Sequence, residues 1–152
     1  MTLTIAAALA LLAVQHAHDP SMHVRGNVAM GFDQNRATHH FILTERGGEI
    51  RITANTSGDE ETIAKIRAHV RDIEKLFASG DFAKPEYIHG ELPPGAETMG
   101  RLKDDIIYEY REMPAGATLR ISSQNDAAVS AVREYLRYQI REHKTGDPTG
   151  GA

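Results

Sequence analysis

No cysteine occurs among the 152 residues, which removes disulfides, thiolate nucleophiles and cysteine-type zinc sites together. Any metal site must draw on His, Met, Asp or Glu. Positive charge is also scarce: 17 Lys and Arg against 21 Asp and Glu leave a net charge of −4. The two signs are interleaved, so no basic stripe attracts phosphates, and nucleic acid is disfavoured as a partner. Enzyme signatures are missing too. There is no Gly-rich phosphate loop, no Gly-x-Ser-x-Gly elbow and no His-Glu-x-x-His helix, so no catalytic residue is assigned. The acid pairs Glu60-Glu61 and Asp104-Asp105 fall at a helix start and a helix end, where a solvated face explains them.

What is present is enough apolar surface, 41% of residues, for one ordinary domain with its own core. The run Leu3 to Val14 is shorter than the roughly 20 residues that cross a bilayer. It reads as the core of a signal peptide over residues 1–17, cleaved after Ala17. Against this, residues 1–17 contain no Lys or Arg, and Gln15 stands where a small residue is preferred. A buried apolar arm is the other reading. Export implies a bacterial protein, periplasmic or secreted, that does not span the membrane once mature.

Residues 18–37 form an arm rich in potential metal donors. From His16 to Met30 there are three His and two Met, and imidazole mixed with thioether suits copper in an oxidising compartment, with zinc second. Pro20 and Gly26 argue against a long helix, which predicts an irregular arm. Cleavage after Ala17 would leave His18 offering both amine and ring. The bland alternative is a merely polar tail, since His-rich tracts are a compositional signal only.

Past the arm the chain repeats itself. Phe41 to Thr53 is two alternating runs about Gly47-Gly48, the pattern of a hairpin. Ile106 to Ser122 has the same plan about Pro114-Ala115-Gly116. Each hairpin leads into an apolar helical stripe, Ile63, Ile66, Val70, Ile73 and Phe77 in one, Val129, Val132, Leu136 and Ile140 in the other. Ser57 with Glu60 and Ser123 with Asp126 fit capping boxes, and Gly80 and Gly146 fit left-handed stops. These signals predict an α+β domain over 38–150. Two ββα repeats, 38–82 and 106–148, share a mainly antiparallel four-stranded sheet with two long helices, 59–78 and 126–143, on one face. Pro85 to Asp105 connects them through a short helix carrying Met99 and Leu102.

The body supplies further candidate ligands. His39 and His40 begin a strand, where successive side chains point to opposite faces, so only one of them serves a given site. His40 is favoured as the ligand and His39 as a hydrogen-bonded partner. Asp33 either supports a ligating imidazole from behind or caps the turn at Asn35. His69, at the edge of its stripe, is either a hydrogen-bonded core residue or a ligand. His143, at the position of Phe77 in the other repeat, reads as structural. His89 precedes the Pro93-Pro94 turn on a loop, where function concentrates.

The strings Met30-Gly-Phe-Asp-Gln34 and His39-His40-Phe41, with the end Tyr135 to Asp147, resemble a family of small exported bacterial proteins of unestablished function, over residues 30–147. The resemblance implies an exported single domain. Such chains are sometimes labelled carbamoyltransferases. This one is too short for a catalytic chain, has no Ser-Thr-Arg-Thr phosphate run, and lacks the cysteines of a regulatory chain.

The expected function is exported metal binding, copper before zinc, through His18, Met22, His23 and His40, joined by His39, His69 or His89. A metal-free periplasmic module holding a small ligand or a protein is the alternative, and a redox or hydrolytic enzyme at the same metal comes third. A metal ion is the expected partner, with a homodimer as an admissible assembly.

Overall fold

A computed structural model describes residues 20–150. The signal-peptide reading, His16 and His18 lie outside them. The described chain runs α1 (Pro20–Met30), β1 (Ala37–Thr44), β2 (Gly47–Ala54), α2 (Glu60–Ser79), α3 (Ala83–His89), α4 (Ala96–Arg101), β3 (Ile106–Met113), β4 (Gly116–Ser123) and α5 (Asp126–His143). Single 3₁₀ turns, Gln34–Arg36 and Lys103–Asp105, lead into β1 and β3. The repeat is therefore a turn, two strands and a helix.

The four strands form one antiparallel sheet in the order β1-β2-β4-β3. The inner strands of the two hairpins pair centrally, with Ile50 opposite Leu119. Alternation then sends Phe41, Ile50, Ile52, Leu119 and Ile121 to one buried face, where they meet the stripes of α2 and α5. The helices cross over: α2 follows the first hairpin but lies mainly on β3 and β4, whereas α5 lies mainly on β1 and β2. Phe77 of α2 and Tyr135 of α5 meet edge to face at 5.9 Å. Each helix thus packs on the other repeat's hairpin, and the two repeats share one core.

Several local expectations are corrected. Asp59, not Ser57, caps α2 by accepting from the Thr62 amide. Asn125, not Ser123, caps α5 by accepting from the Ala127 and Ala128 amides. Ser123 instead donates to the Asp105 carbonyl at 2.7 Å, tying β4 to the turn before β3. Gly80 ends α2 in the left-handed region as expected, but α5 ends on left-handed Lys144. The arm is not irregular: residues 20–30 are helical. Pro20 sits at the helix start, where its missing N–H costs nothing. Gly26 lets the Gln34 side chain approach, since a Cβ there would lie 2.9 Å from Gln34 Nε2.

Gly48 supports a close contact between sheet and helix. A Cβ at this position would lie 2.1 Å from Leu136 Cδ1 and 2.6 Å from the Ile42 carbonyl oxygen. The backbone oxygen cannot swing aside, so overpacking is unavoidable. Gly48→Ala is expected to cost about 1–3 kcal/mol, read as a lower urea midpoint at pH 7; an unchanged midpoint would contradict this packing.

Candidate functional site

Between the two helices, the sheet and α3 lies a cavity of about 60 Å³. Its walls are mostly apolar, with Phe77, Ile50 and Ile52 among them. Four imidazoles also line it, one from each of four elements: His39 on β1, His69 on α2, His89 on α3 and His143 on α5. Met30, the last residue of α1, adds a thioether. The rings are neighbours, His39 and His143 with centroids 5.7 Å apart and nearly parallel, His89 and His143 at 5.3 Å and perpendicular.

Burial governs the charge of these rings. Desolvation, then the neighbouring His40, lowers His39 to about 4. Desolvation lowers His69 to about 3, with help from His39 and Lys84. It also lowers His143 to about 3, assisted by His39, His89 and His23. His89 is lowered in the same direction by the same cause. All four are neutral at pH 7, the form in which imidazole ligates a metal.

Three of these rings leave a buried nitrogen with no hydrogen-bond partner: His39 Nε2, His69 Nδ1 and His89 Nδ1. An orphaned buried polar atom costs about 1–3 kcal/mol. All three atoms are enclosed by protein with almost no accessible surface of their own, while their rings help to wall the cavity. The Gln139 amide oxygen lies 3.1 Å from His89 Nε2, and in that amide orientation Nε2 is the donor and Nδ1 keeps its lone pair.

Not every expected residue reaches the cavity. His40 points to the opposite sheet face, keeps 42% of its side chain exposed and donates from Nδ1 to Asp147 at 2.8 Å. Asp147 also accepts from the Phe41 amide and from Thr145 Oγ1, so it covers part of the β1 edge. The roles given to the two adjacent histidines are thus exchanged: His40 has the partner and His39 has the orphaned nitrogen. Asp33 accepts from the Asn35 amide at 2.9 Å as the cap of a 3₁₀ turn. Met22 is buried but does not line the cavity. His23 lies on α1 near the outer side of His143. His89 ends α3 and is not on a loop.

Of two further lining residues, His143 is not among the candidate ligands read from sequence, whereas Met30 is counted there among the arm's thioether donors. His143 reads as structural because it continues a helical stripe, yet that stripe faces the cavity. Met30 stands at the end of what reads as irregular chain. Only the helical period of residues 22, 26 and 30, all buried, signals α1. Among the described residues, no group of three or more His, Asp or Glu side chains is placed to hold a metal ion as it stands. No described helix is long and apolar enough to cross a membrane. No family model, curated protein or solved structure matches the chain.

Proposed function

We propose that the protein binds one copper ion, as Cu(I), in the histidine-lined cavity, and that it does so in an exported compartment. The observation that carries this reading is the gathering of four neutral imidazoles, one from each of four elements, around one small cavity that Met30 also lines. With metal–nitrogen bonds of about 2 Å, two imidazoles sharing an ion hold their ring centroids about 5–6 Å apart. The separations about His143 are 5.7 Å to His39, with the planes 14° from parallel, and 5.3 Å to His89, with the planes perpendicular, so a ring must turn before two of them face one ion. Two imidazoles with a thioether form a set that needs no third histidine.

Charge and size favour a soft monovalent ion. The cavity is lined by neutral rings and a thioether, with Lys84 its one charged wall residue and no carboxylate, and thioether donors select Cu(I). A dication such as zinc would bring charge that nothing there offsets. A volume of about 60 Å³ falls well below the roughly 300 Å³ where organic-ligand pockets begin, so this cavity suits an ion better than an organic molecule. The apolar run Leu3 to Val14 supports export.

Competition with a chromophoric cuprous chelator tests the assignment. One equivalent of Cu(I) is expected to bind in preference to Zn(II). His39→Ala and His143→Ala should each weaken it more than about tenfold, equivalent to about 1.4 kcal/mol, while His40→Ala leaves it unchanged. No uptake, or uptake indifferent to His39 and His143, would overturn the proposal.

A further inference from the structure

The sheet ends in two edge strands, β1 and β3, and the two repeats close them differently. Phe41 and Tyr110 hold equivalent places, each fifth in its strand. Each turns its amide outward and gives it to a carboxylate, Tyr110 to Glu74 of α2 and Phe41 to Asp147, both at 2.9 Å. Since His143 matches Phe77, the place in α5 that matches Glu74 is Ile140, so α5 offers no carboxylate there. The segment after α5 supplies one instead.

Strand β3 is also screened by charge. Arg71 of α2 lies over the Tyr110 ring at 4.6 Å and pairs with Glu112, and Glu109 and Arg111 stand on the strand itself. Strand β1 carries no such screen. Ala37 to Thr44 contains no Asp, Glu, Lys, Arg or Pro, the residues by which natural sheets keep their edges from pairing.

What covers β1 is a strap, residues 144–149, held by polar contacts. Asp147 accepts from His40 Nδ1, the Phe41 amide and Thr145 Oγ1 at 2.8, 2.9 and 2.6 Å, and Arg137 Nε donates to the Thr149 carbonyl at 2.9 Å. Only Thr145 and Asp147 of the strap are partly buried, and none of its side chains joins the core. A segment with so little buried apolar surface opens at low free energy. Glu74, by contrast, rides on a helix whose stripe lies in the core.

We propose that Asp147 latches this strap over β1, and that its release lets β1 pair antiparallel with β1 of a second copy, joining two four-stranded sheets into one. Backbone alternation turns the amides and carbonyls of His39, Phe41 and Leu43 outward together. A two-fold pair centred on Phe41 uses all three, including the amide that Asp147 now occupies. Symmetric pairing brings a strand against itself, so any charge on it meets its like nearby. β1 has no acid, Lys or Arg to oppose its own copy, which makes a second copy the fitting occupant. The pairing is small and backbone-driven, and it therefore depends on concentration.

Analytical ultracentrifugation of the full chain over a concentration series is the test, with circular dichroism to verify folding. Asp147→Ala is expected to dimerise at least about tenfold more tightly than the wild-type chain. Thr145→Val, which keeps the carboxylate but removes a hydroxyl that holds it, should tighten dimerisation to a lesser degree. Ile42 faces the open side of the sheet opposite Glu49, so Ile42→Lys is accommodated in the monomer but sets two lysines close together across the axis. Added to Asp147→Ala, it should return association to the wild-type level. Glu74→Ala should leave association unchanged, because Arg71 and the charges of β3 remain. A folded Asp147→Ala chain that sediments like the wild type would overturn the proposal, as would dimers that survive Ile42→Lys or that Glu74→Ala produces equally. Should Asp147→Ala fail to fold, Thr145→Val decides by the same measure.

Discussion

Acidification from pH 7 to pH 4 is expected to unfold the metal-free protein cooperatively. Histidine titrates near 6.5 in an unfolded chain, whereas His39 is lowered to about 4 and His69 and His143 to about 3 in the fold, burial being the leading cause each time. Between those values the unfolded chain binds more protons than the native one. The stability that depends on these rings is therefore complete above about pH 6.5 and drains away as the pH falls toward the native values. Each ring contributes a slope of up to about 1.4 kcal/mol per pH unit, and three together up to about 4. Because His39 and His143 are partly exposed as residues, solvent screening trims that upper figure. Lys84 adds to the cost of charging His69 and Asp72 offsets part of it. Set against a total of about 5–15 kcal/mol for an ordinary domain, the loss is enough to unfold the chain within two to three pH units. Urea titrations followed by circular dichroism at successive pH values measure the slope. His69→Leu should flatten it by about one third, one proton in three. Stability that stays level from pH 7 to 4.5 would contradict burial of these rings as neutral groups.

Phe77→Ala is expected to be the most damaging single truncation in the core. Phe77 is 1% exposed and meets Phe82 at 4.5 Å, Tyr135 at 5.9 Å and Tyr108 at 6.1 Å between ring centroids. It therefore joins both long helices, the connector and the outer strand β3. Truncation of a buried Phe costs about 3–5 kcal/mol through lost transfer and the void left behind. The high end applies here because Phe77 already lines the cavity, so the new void merges with an existing one and the neighbours have little to collapse onto. Phe77→Leu should cost much less. Urea midpoints at pH 7 give the comparison, and a loss under about 1 kcal/mol for the alanine variant would show that the site relaxes.

The element plan was legible because it rests on local periodicity. Alternation over Phe41 to Thr53 and over Ile106 to Ser122, and the stripes from Ile63 to Phe77 and from Val129 to Ile140, fall on the observed strands and helices. Burial against a common sheet imposes those periods on each segment separately. Cap positions were less legible. Ser57 and Ser123 are good capping residues by type, but Asp59 and Asn125 stand closer to the first helical amides and take the role. Propensity names the residue kinds that suit a cap without choosing among neighbours.

The sequence by itself determined a single α+β domain, its repeated hairpin-and-helix plan, and the absence of thiolate chemistry, since composition and period are properties of the chain alone. The tertiary structure decided which imidazoles meet. His39 and His40 are adjacent, and only the sheet face taken by β1 sends the first inward and the second to Asp147. His143 and Phe77 hold equivalent places in the two repeats, yet one lines the cavity with an imidazole and the other with a phenyl ring. His89 reaches the same cavity from a connector whose path no local signal specifies. Convergence of residues 39, 69, 89 and 143 depends on helices that cross onto each other's hairpins, and spacing along the chain carries no record of that crossing.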